Sequence, residues 1–469
     1  MAAGGGTFLT QNKKLPGAYI NFVSAQAVSQ ALSDRGIVAF ATNLDWGPEH
    51  VVMNVTNTDF QRDCMKIFGY PATSPKMKGL ADLFQNAIRG YIFRLNPPTG
   101  TKAAIEYITD DSETILVGTA RYTGARGNDI SVRIELNIDS PDTPTPEEPA
   151  LYDVTTYVGD TVVDSQTKIT AMSQIIDKEF VVWNKAGTIM ELIATATGGT
   201  TAQSTNADIE DAMAKFEPYQ YNIFSTDVVP SASLVAYIKS YVTRVREQTG
   251  AKMQAVIYAP TDIGTSVDYE GIISVQNNAI VDATTLKTED GFSKAAPCFW
   301  IAGAEAGCAV NKSLTNAVYN GSFLVNLDFS QDDLVSFIDN GRFVLYRDGD
   351  DVRVLTDING LTTYTLEKNA DFSNNQTIRV LDQIAIETGI LFSETFLGKV
   401  PNDEDGRISF KDQLADIFNQ LQDLRAIQNF DYDEDISVWK GITKTSVVVD
   451  TAVEPTNVME KLYMTVRVG

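Results

Sequence analysis

Ser231-Ala-Ser-Leu-Val-Ala-Tyr-Ile-Lys-Ser-Tyr-Val-Thr-Arg-Val-Arg-Glu-Gln248 is followed, after a five-residue spacer that contains Gly250, by Gln254-Ala-Val-Ile-Tyr258. The first stretch puts Leu234, Val235, Ile238, Tyr241, Val242 and Val245 on one face at helical spacing. Ser231 stands at the N-cap position and Gly250 at the stop. A strand directly after a helix is the repeating step of a parallel sheet, so this region reads as α/β.

Upstream the same alternation recurs. Residues 206–216 read as a helix and 36–41 as a β run, followed by the loop Asp45-Trp-Gly-Pro-Glu49. A helical face of Leu80, Leu83, Phe84, Ala87 and Ile88 runs into a strand over 91–95. Between 100 and 205 the texture changes to short β runs at 114–117, 130–138, 152–158, 179–182 and 189–195. The segment Ser140-Pro-Asp-Thr-Pro-Thr-Pro-Glu-Glu-Pro149 holds four of the chain's 16 prolines, which no regular element tolerates. An inserted β-sandwich or small barrel is expected there.

Downstream, the Ala- and Gly-rich run Phe299-Trp-Ile-Ala-Gly-Ala-Glu-Ala-Gly-Cys308 suits close helix packing. Residues 375–396 read as a long helix lined by Ile378, Leu381, Ile384, Ile390 and Leu391. A second helix is expected to start at the capping box Ser409-Phe-Lys-Asp412 and to continue through Leu414, Ile417, Phe418, Leu421 and Leu424. Two β runs end the chain, 446–450 and 462–468; in the latter Leu462, Met464, Val466 and Val468 alternate with Tyr463, Thr465 and Arg467. Another β run, 18–24, follows the glycine-rich start. The expected architecture is a multidomain α+β or α/β fold: α/β core domains, an inserted β-sandwich or barrel, and extended N- and C-terminal β arms. Its parts are an arm at 1–25, a central α/β domain at 26–100 plus 205–345, the β-rich insertion at 101–204, a C-terminal α/β domain at 346–455 and an arm strand at 456–469.

Composition excludes more than it assigns. The 469 residues carry 37 Lys+Arg against 61 Asp+Glu, a net charge of −24, which argues against direct contact with a nucleic acid backbone. The three cysteines, Cys64, Cys298 and Cys308, fit no disulfide framework. His50 is the only histidine, so a histidine metal cluster is impossible. The most apolar run, 295–310, is broken by Pro297 and Glu305 and is too short to span a bilayer, so no membrane insertion is expected. Asp403-Glu-Asp-Gly-Arg-Ile-Ser-Phe-Lys-Asp412 resembles the middle of a calcium loop, but Pro401 would occupy position one and Asp412 the place of the bidentate Glu. There is no G-x-S-x-G elbow and no phosphate loop. No catalytic residue, metal or cofactor is expected. Two other classes stay open at this level: a cell-envelope hydrolase using carboxylates or His50, and an acidic surface-binding or adhesin protein built on 105–200.

Four landmarks in order point further. They are Leu15-Pro-Gly-Ala-Tyr-Ile-Asn-Phe-Val23, then Asp34-Arg-Gly-Ile-Val-Ala-Phe-Ala41 with Trp46-Gly-Pro48, then Ala120-Arg-Tyr-Thr-Gly-Ala-Arg-Gly-Asn-Asp-Ile-Ser-Val132, and finally the C-terminal helices with the closing β runs. Together they resemble the tail sheath family of contractile phages, which also includes sheaths of R-type bacteriocins and related injection machines; sheaths of Gram-positive prophages are nearest. The resemblance implies a structural protein without cofactor. Six-membered rings would stack helically around an inner tail tube, between baseplate and tail terminator, in a virion tail or contractile particle assembled in the bacterial host cytoplasm. It implies that the C-terminal domain faces the tube, the insertion faces outward, and the two arms add strands to neighbouring copies.

On the residues alone each arm could equally pair inside its own subunit. The arm residues singled out are Tyr19, Ile20 and Phe22 at one end and Leu462, Met464 and Val466 at the other. Lys411 and Arg425 are the candidate contacts to the tube.

Overall fold

Alternation along single strands sets the architecture. In the strand Ile37–Thr42, Val38 and Phe40 point to one side of a sheet and Ala39 and Ala41 to the other, and all four are fully buried. A strand buried on both faces needs cover on both. The computed structural model describes residues 5–6, 18–19, 32–33, 35–109, 112–261 and 267–468, and it supplies that cover. The sheet has seven strands in the order Arg342–Phe343, Ile272–Val275, Gln254–Tyr258, Ile223–Thr226, Ile37–Thr42, Arg89–Arg94 and Val52–Thr56. All neighbours are parallel except the last pair. Helices Asn57–Phe68, Lys78–Phe84 and Pro297–Gly307 pack on the Val38 and Phe40 side. Helices Asn206–Phe216 and Ala232–Arg244 pack on the other.

The local signals explain most of these elements. Ser231 Oγ accepts from the Leu234 N–H, and Gly250 ends the following wide turn at φ 78°. The helix Asn57–Phe68 and the strand before it were not anticipated, although Thr56 and Asp59 form a capping box and Gly69 closes the helix at φ 76°. The helix expected to include Ala87 and Ile88 stops at Phe84, and Ile88 is exposed.

Pro297–Gly307 is buried on nearly every side and crosses Lys78–Phe84 backbone to backbone. A Cβ on Gly303 would stand 2.3 Å from the Leu83 carbonyl oxygen. Gly303→Ala is therefore expected to lower stability by about 1–3 kcal/mol, because a main-chain atom cannot swing aside as a side chain can. A lower urea midpoint for the purified subunit checks this.

A second sheet of seven antiparallel strands occupies 102–197 in chain order, between Arg89–Arg94 and Ile223–Thr226 of the first. Its strand Leu192–Thr197 pairs with Ile130–Leu136 through 192–195 and with Lys102–Ile108 through 196–197. One strand thus serves both halves, as at the corners of folded sheets. The strands Lys102–Ile108 and Thr161–Ile169 were not expected; the second is half-exposed and so lacks the apolar alternation that marks a strand.

Trp46, from the loop after Ile37–Thr42, is fully buried in the core of this sheet, stacked on Phe180 at 5.4 Å. Buried Arg94 donates to the carbonyls of Leu44, Gly47 and Thr123 at 2.9, 2.7 and 2.9 Å. A Cβ on Gly124 would lie 1.9 Å from the Asp45 carbonyl oxygen, so only glycine fits. Two of the sequence landmarks, Trp46-Gly-Pro48 and the stretch around Gly124, therefore meet at one joint.

Elements further along the chain include the helix Gln331–Asp339, a pairing of Leu345–Asp348 with Asp351–Val354, the helix Asn375–Leu391, the helix Glu404–Asp423, a short pairing of Ile427–Gln428 with Glu454–Pro455, and a hairpin of Ile436–Lys440 with Val447–Thr451. Two expectations are corrected. The second helix starts at Glu404, not at Ser409: Asp403 caps it, accepting from the Gly406 N–H at 2.9 Å, and Ser409 lies inside. The long helix does not turn only apolar residues inward; Asn375, Gln376, Thr377, Arg379, Asp382, Gln383 and Glu387 are buried, whereas Leu381, Ile384 and Ile390 are only half-buried.

Residues Met1–Ser33 form a unit of their own, distinct from 34–469. Within it Gly5–Gly6 and Ala18–Tyr19 pair in parallel, Gly6 opposite Tyr19. Ile20 and Phe22 lie outside the described residues, as do 21 and 23–24 of the expected β run.

Candidate functional site

The residues with catalytic potential are engaged in holding the fold. His50 adopts φ 52° and lies between two carboxylates of one helix, Nε2 3.3 Å from Asp208 and Nδ1 3.1 Å from Asp211. Asp208 is itself the capping partner of Thr205, whose N–H donates to it at 2.6 Å. The histidine fastens a loop to a helix start. All three cysteines are free and buried; burial pushes the Cys64 thiol up to about 12 and that of Cys308 up to about 11, so neither supplies a thiolate at neutral pH. Among the described residues no group of three or more His, Cys, Asp or Glu could hold a metal ion, and no helix is long and apolar enough to cross a membrane. The acidic run 403–412 is a capped helix.

The C-terminal tail has a different character. Its root is tied down: the Thr456 N–H donates to the Ala426 carbonyl at 2.9 Å, Gln376 Nε2 donates to the Thr456 carbonyl at 2.9 Å, and the Val458 N–H donates to Gln376 Oε1 at 3.2 Å. Beyond Glu460 the chain has no strand partner among the described residues. Leu462 is 86% exposed, Met464 74% and Val466 71%. The expected strand over 462–468 is thus paired with none of the described residues, and its alternating apolar side chains are exposed. Apolar side chains so exposed on an unpaired segment are what a strand awaiting another sheet presents.

A second exposed β element is the hairpin Ile436–Lys440 with Val447–Thr451. Among the described residues it is a sheet of two strands, and Trp439, Val448 and the loop residue Ile442 are exposed. Two-stranded sheets are marginal alone and leave an unpaired edge on each strand.

Lys411 and Arg425 are not brought together. Lys411 sits over the Tyr432 ring at 4.1 Å, and the Tyr432 hydroxyl donates to Asp412 at 2.5 Å. Arg425 lies past the end of the same helix at φ 61°, exposed, roughly 20 Å along the axis from Lys411. What accompanies Lys411 instead is a cleft of about 310 Å³ lined by Glu404, Arg407, Ile408, Val438, Trp439 and Lys440. Arg407 and Lys440 went unnoticed in the sequence because one lies on the helix and the other on the hairpin, 33 positions apart.

A buried ionic cluster also escaped the sequence reading. Arg379, on the inward face of Asn375–Leu391, is 1% exposed and donates to Glu305 at 3.0 Å, to Asp357 at 2.9 Å and to the Lys312 carbonyl at 2.8 Å. Asn375 donates to Asp357 at 2.8 Å and to Glu305 at 3.3 Å. One turn along, Asp382 accepts both Nη groups of Arg246, at 2.8 and 2.7 Å. Burial, and next to it the charge of Asp357, hold the Glu305 carboxyl well above the usual range, against the pull of Arg379. Burial, reinforced by Arg379, holds the Arg35 guanidinium down to about 10, against Asp382 and Glu305.

The chain matches the phage tail sheath protein central domain over 202–360, the phage tail sheath C-terminal domain over 367–469, the phage tail sheath protein beta-sandwich domain over 98–206 and the tail sheath protein Gp18 domain III N-terminal region over 35–95. It is 30% identical to the phage-like element PBSX protein XkdK of Bacillus subtilis, covering 99% of this chain and all of that one. It is 30% identical to a sheath tail protein of Desulfitobacterium hafniense whose crystal structure superposes at a TM-score of 0.77, over 96% of this chain and 99% of that one. At 9% identity it shares its fold, TM-score 0.54 over 97% and 98% of the two chains, with the contracted sheath of an extracellular contractile injection system. With its α/β sheets and the order of its landmarks, this chain belongs to the phage tail sheath family.

Proposed function

We propose that copies of this chain join end to body, the tails of one subunit adding strands to a sheet of its neighbours, to build a sheath around an inner tube. The observation that carries this is the bare, alternating apolar face of 462–468 on a chain that otherwise buries its cores. The two-stranded hairpin offers edges of the right kind, and strand addition uses only backbone hydrogen bonds and alternate pockets. Electron microscopy of the full chain and of a chain ending at Glu460 tests it. The role is structural and not enzymatic.

The finer picture is part of the same proposal. Six-membered rings stack helically, with the 346–455 domain inward, the 101–204 β-sandwich insertion outward, and the arms 1–25 and 456–469 crossing between copies. Baseplate and terminator close the two ends in a virion tail or contractile particle, assembled in the host cytoplasm. Contraction needs broad subunit faces that exchange one packing for another while the strand tethers persist. Each backbone bond in a tether contributes about 0.5–1.5 kcal/mol, which is weak singly and sufficient when every subunit carries several.

Lys411, with Arg407 and Lys440 beside it, faces an acidic patch of the tube in this reading, and Arg425 makes a separate contact. The charge-reversed pair Lys411→Glu with Arg425→Glu is expected to assemble into sheath yet to lose the tube at low salt, because reversal turns an attraction into a repulsion, and the effect should shrink as salt screens these exposed charges. Co-sedimentation with tube protein at low salt checks this; retained tube binding would remove both residues from the contact.

A further inference from the structure

We propose that His50, the chain's only histidine, is a pH-sensitive latch at the root of the β-rich insertion. With both ring nitrogens protonated it bridges two carboxylates of the helix that follows the insertion; as pH rises it lets one of them go. The latch belongs to the single subunit and does not rest on how copies join.

The loop 43–50 touches both connections of the insertion. The Leu44 N–H donates to Asn96, on the way in, at 2.7 Å, and the Ser204 hydroxyl, on the way out, donates to Asn43 at 2.6 Å. Glu49 accepts the N–H and the hydroxyl of Thr123, inside the insertion, at 2.7 and 2.8 Å. His50 then closes the loop against the helix Asn206–Phe216, with Asp208 Oδ1 3.3 Å from Nε2 and Asp211 Oδ2 3.1 Å from Nδ1.

The chemistry of the ring makes this closure depend on its charge. An imidazolium carries an N–H on each nitrogen and can serve both carboxylates, whereas a neutral imidazole carries one and turns a lone pair toward the other. Nε2 is buried and makes no hydrogen bond, so without a proton it meets the Asp208 oxygen with nothing to donate. Among the described residues no third charge pairs with the ring, Glu210 and Lys215 of the same helix included. On the loop, Glu49 is held by Thr123, with Arg94 Nη1 3.7 Å away, and Asp45 accepts the Tyr70 hydroxyl at 2.8 Å. From the strand Arg89–Arg94, the Phe93 ring stands 5.4 Å from the imidazole, and Arg94 is taken up by main-chain carbonyls. The charge of the ring is thus read by Asp208 and Asp211, and through the loop it bears on how firmly the insertion is seated.

Hydrogen exchange on the unpolymerised full-length subunit, corrected for the intrinsic effect of pH on each amide, tests this. In the parent, protection at 205–212 and at Thr123 should fall about threefold between about pH 5.5 and about pH 8. His50→Asn cannot take a proton, and asparagine enters the left-handed region that His50 occupies at φ 52°; its protection at these amides should be the same at both pH values. Asp211→Asn leaves the cap between Thr205 and Asp208 intact and should weaken the pH effect. A residue that only packed would shift protection equally at both pH values. No pH effect in the parent overturns the latch, and so does an equal effect in His50→Asn. An undiminished effect in Asp211→Asn overturns the bridge between two carboxylates; if His50→Asn does not fold, that variant against the parent decides.

Discussion

A chain ending at Glu460 is expected to fold like its parent and to form no tubes. Among the described residues the side chains of 461–468 are exposed and no hydrogen bond joins them to the body, so the urea midpoint should not move. Assembly should fail for a quantitative reason. A strand of this length contributes a few kcal/mol through backbone pairing, and three or four apolar side chains buried on one face add to it. Removing about 3 kcal/mol from each link raises the concentration needed for polymerisation by about a hundredfold, and the loss is repeated at every subunit.

Sedimentation and negative-stain images check this. The face matters too: Leu462→Asp with Met464→Asp should match the truncation, whereas Thr465→Asp, on the alternate face, should be milder. Equal effects from both faces would show that the tail does not bind as a strand.

Arg379→Met is expected to cost the subunit about 3–5 kcal/mol, the largest effect of any single replacement considered. It removes a guanidinium from between Glu305 and Asp357 and leaves two buried carboxylates facing each other. Adding Glu305→Gln should recover part of the loss. The urea midpoint and the thermal midpoint both report it; no change in either would mean that this cluster does not fasten the helix Asn375–Leu391.

Glu305 also gives a pH signature. Its carboxyl is raised above the ordinary 4.5, chiefly by burial, so the folded state holds that proton more tightly than the unfolded one. Its contribution is complete below pH 4.5 and is lost as pH rises through the folded value. Glu305→Gln keeps the uncharged form throughout, so the decline of the thermal midpoint from pH 4 to pH 8 should be shallower than in the parent.

How much of this was legible in the sequence depends on where each cause lies. The helix from Ser231, its N-cap, its stop at Gly250 and the strand 254–258 rest on neighbours within a turn or two, and they were readable. So were the change of texture after 100 and the proline-rich loop. At 403–412 two caps compete locally, and the earlier one prevailed because Asp403 meets an unsatisfied N–H and lengthens the helix at no cost to its buried face. The inward polar face of Asn375–Leu391 could not be read, because Arg379 is satisfied by Glu305 and Asp357 from other elements.

By itself, then, the sequence determined the α/β and β textures, the lack of a catalytic motif and the alternating apolar run at 462–468, all properties of spacing along one chain. Only the tertiary structure decided which charges are buried together, which cations share the cleft at Lys411, and that 462–468 finds no strand partner among the described residues. Burial, pairing and exposure are relations between distant segments, and the free energy of a charge or a strand edge is set by what the fold brings against it.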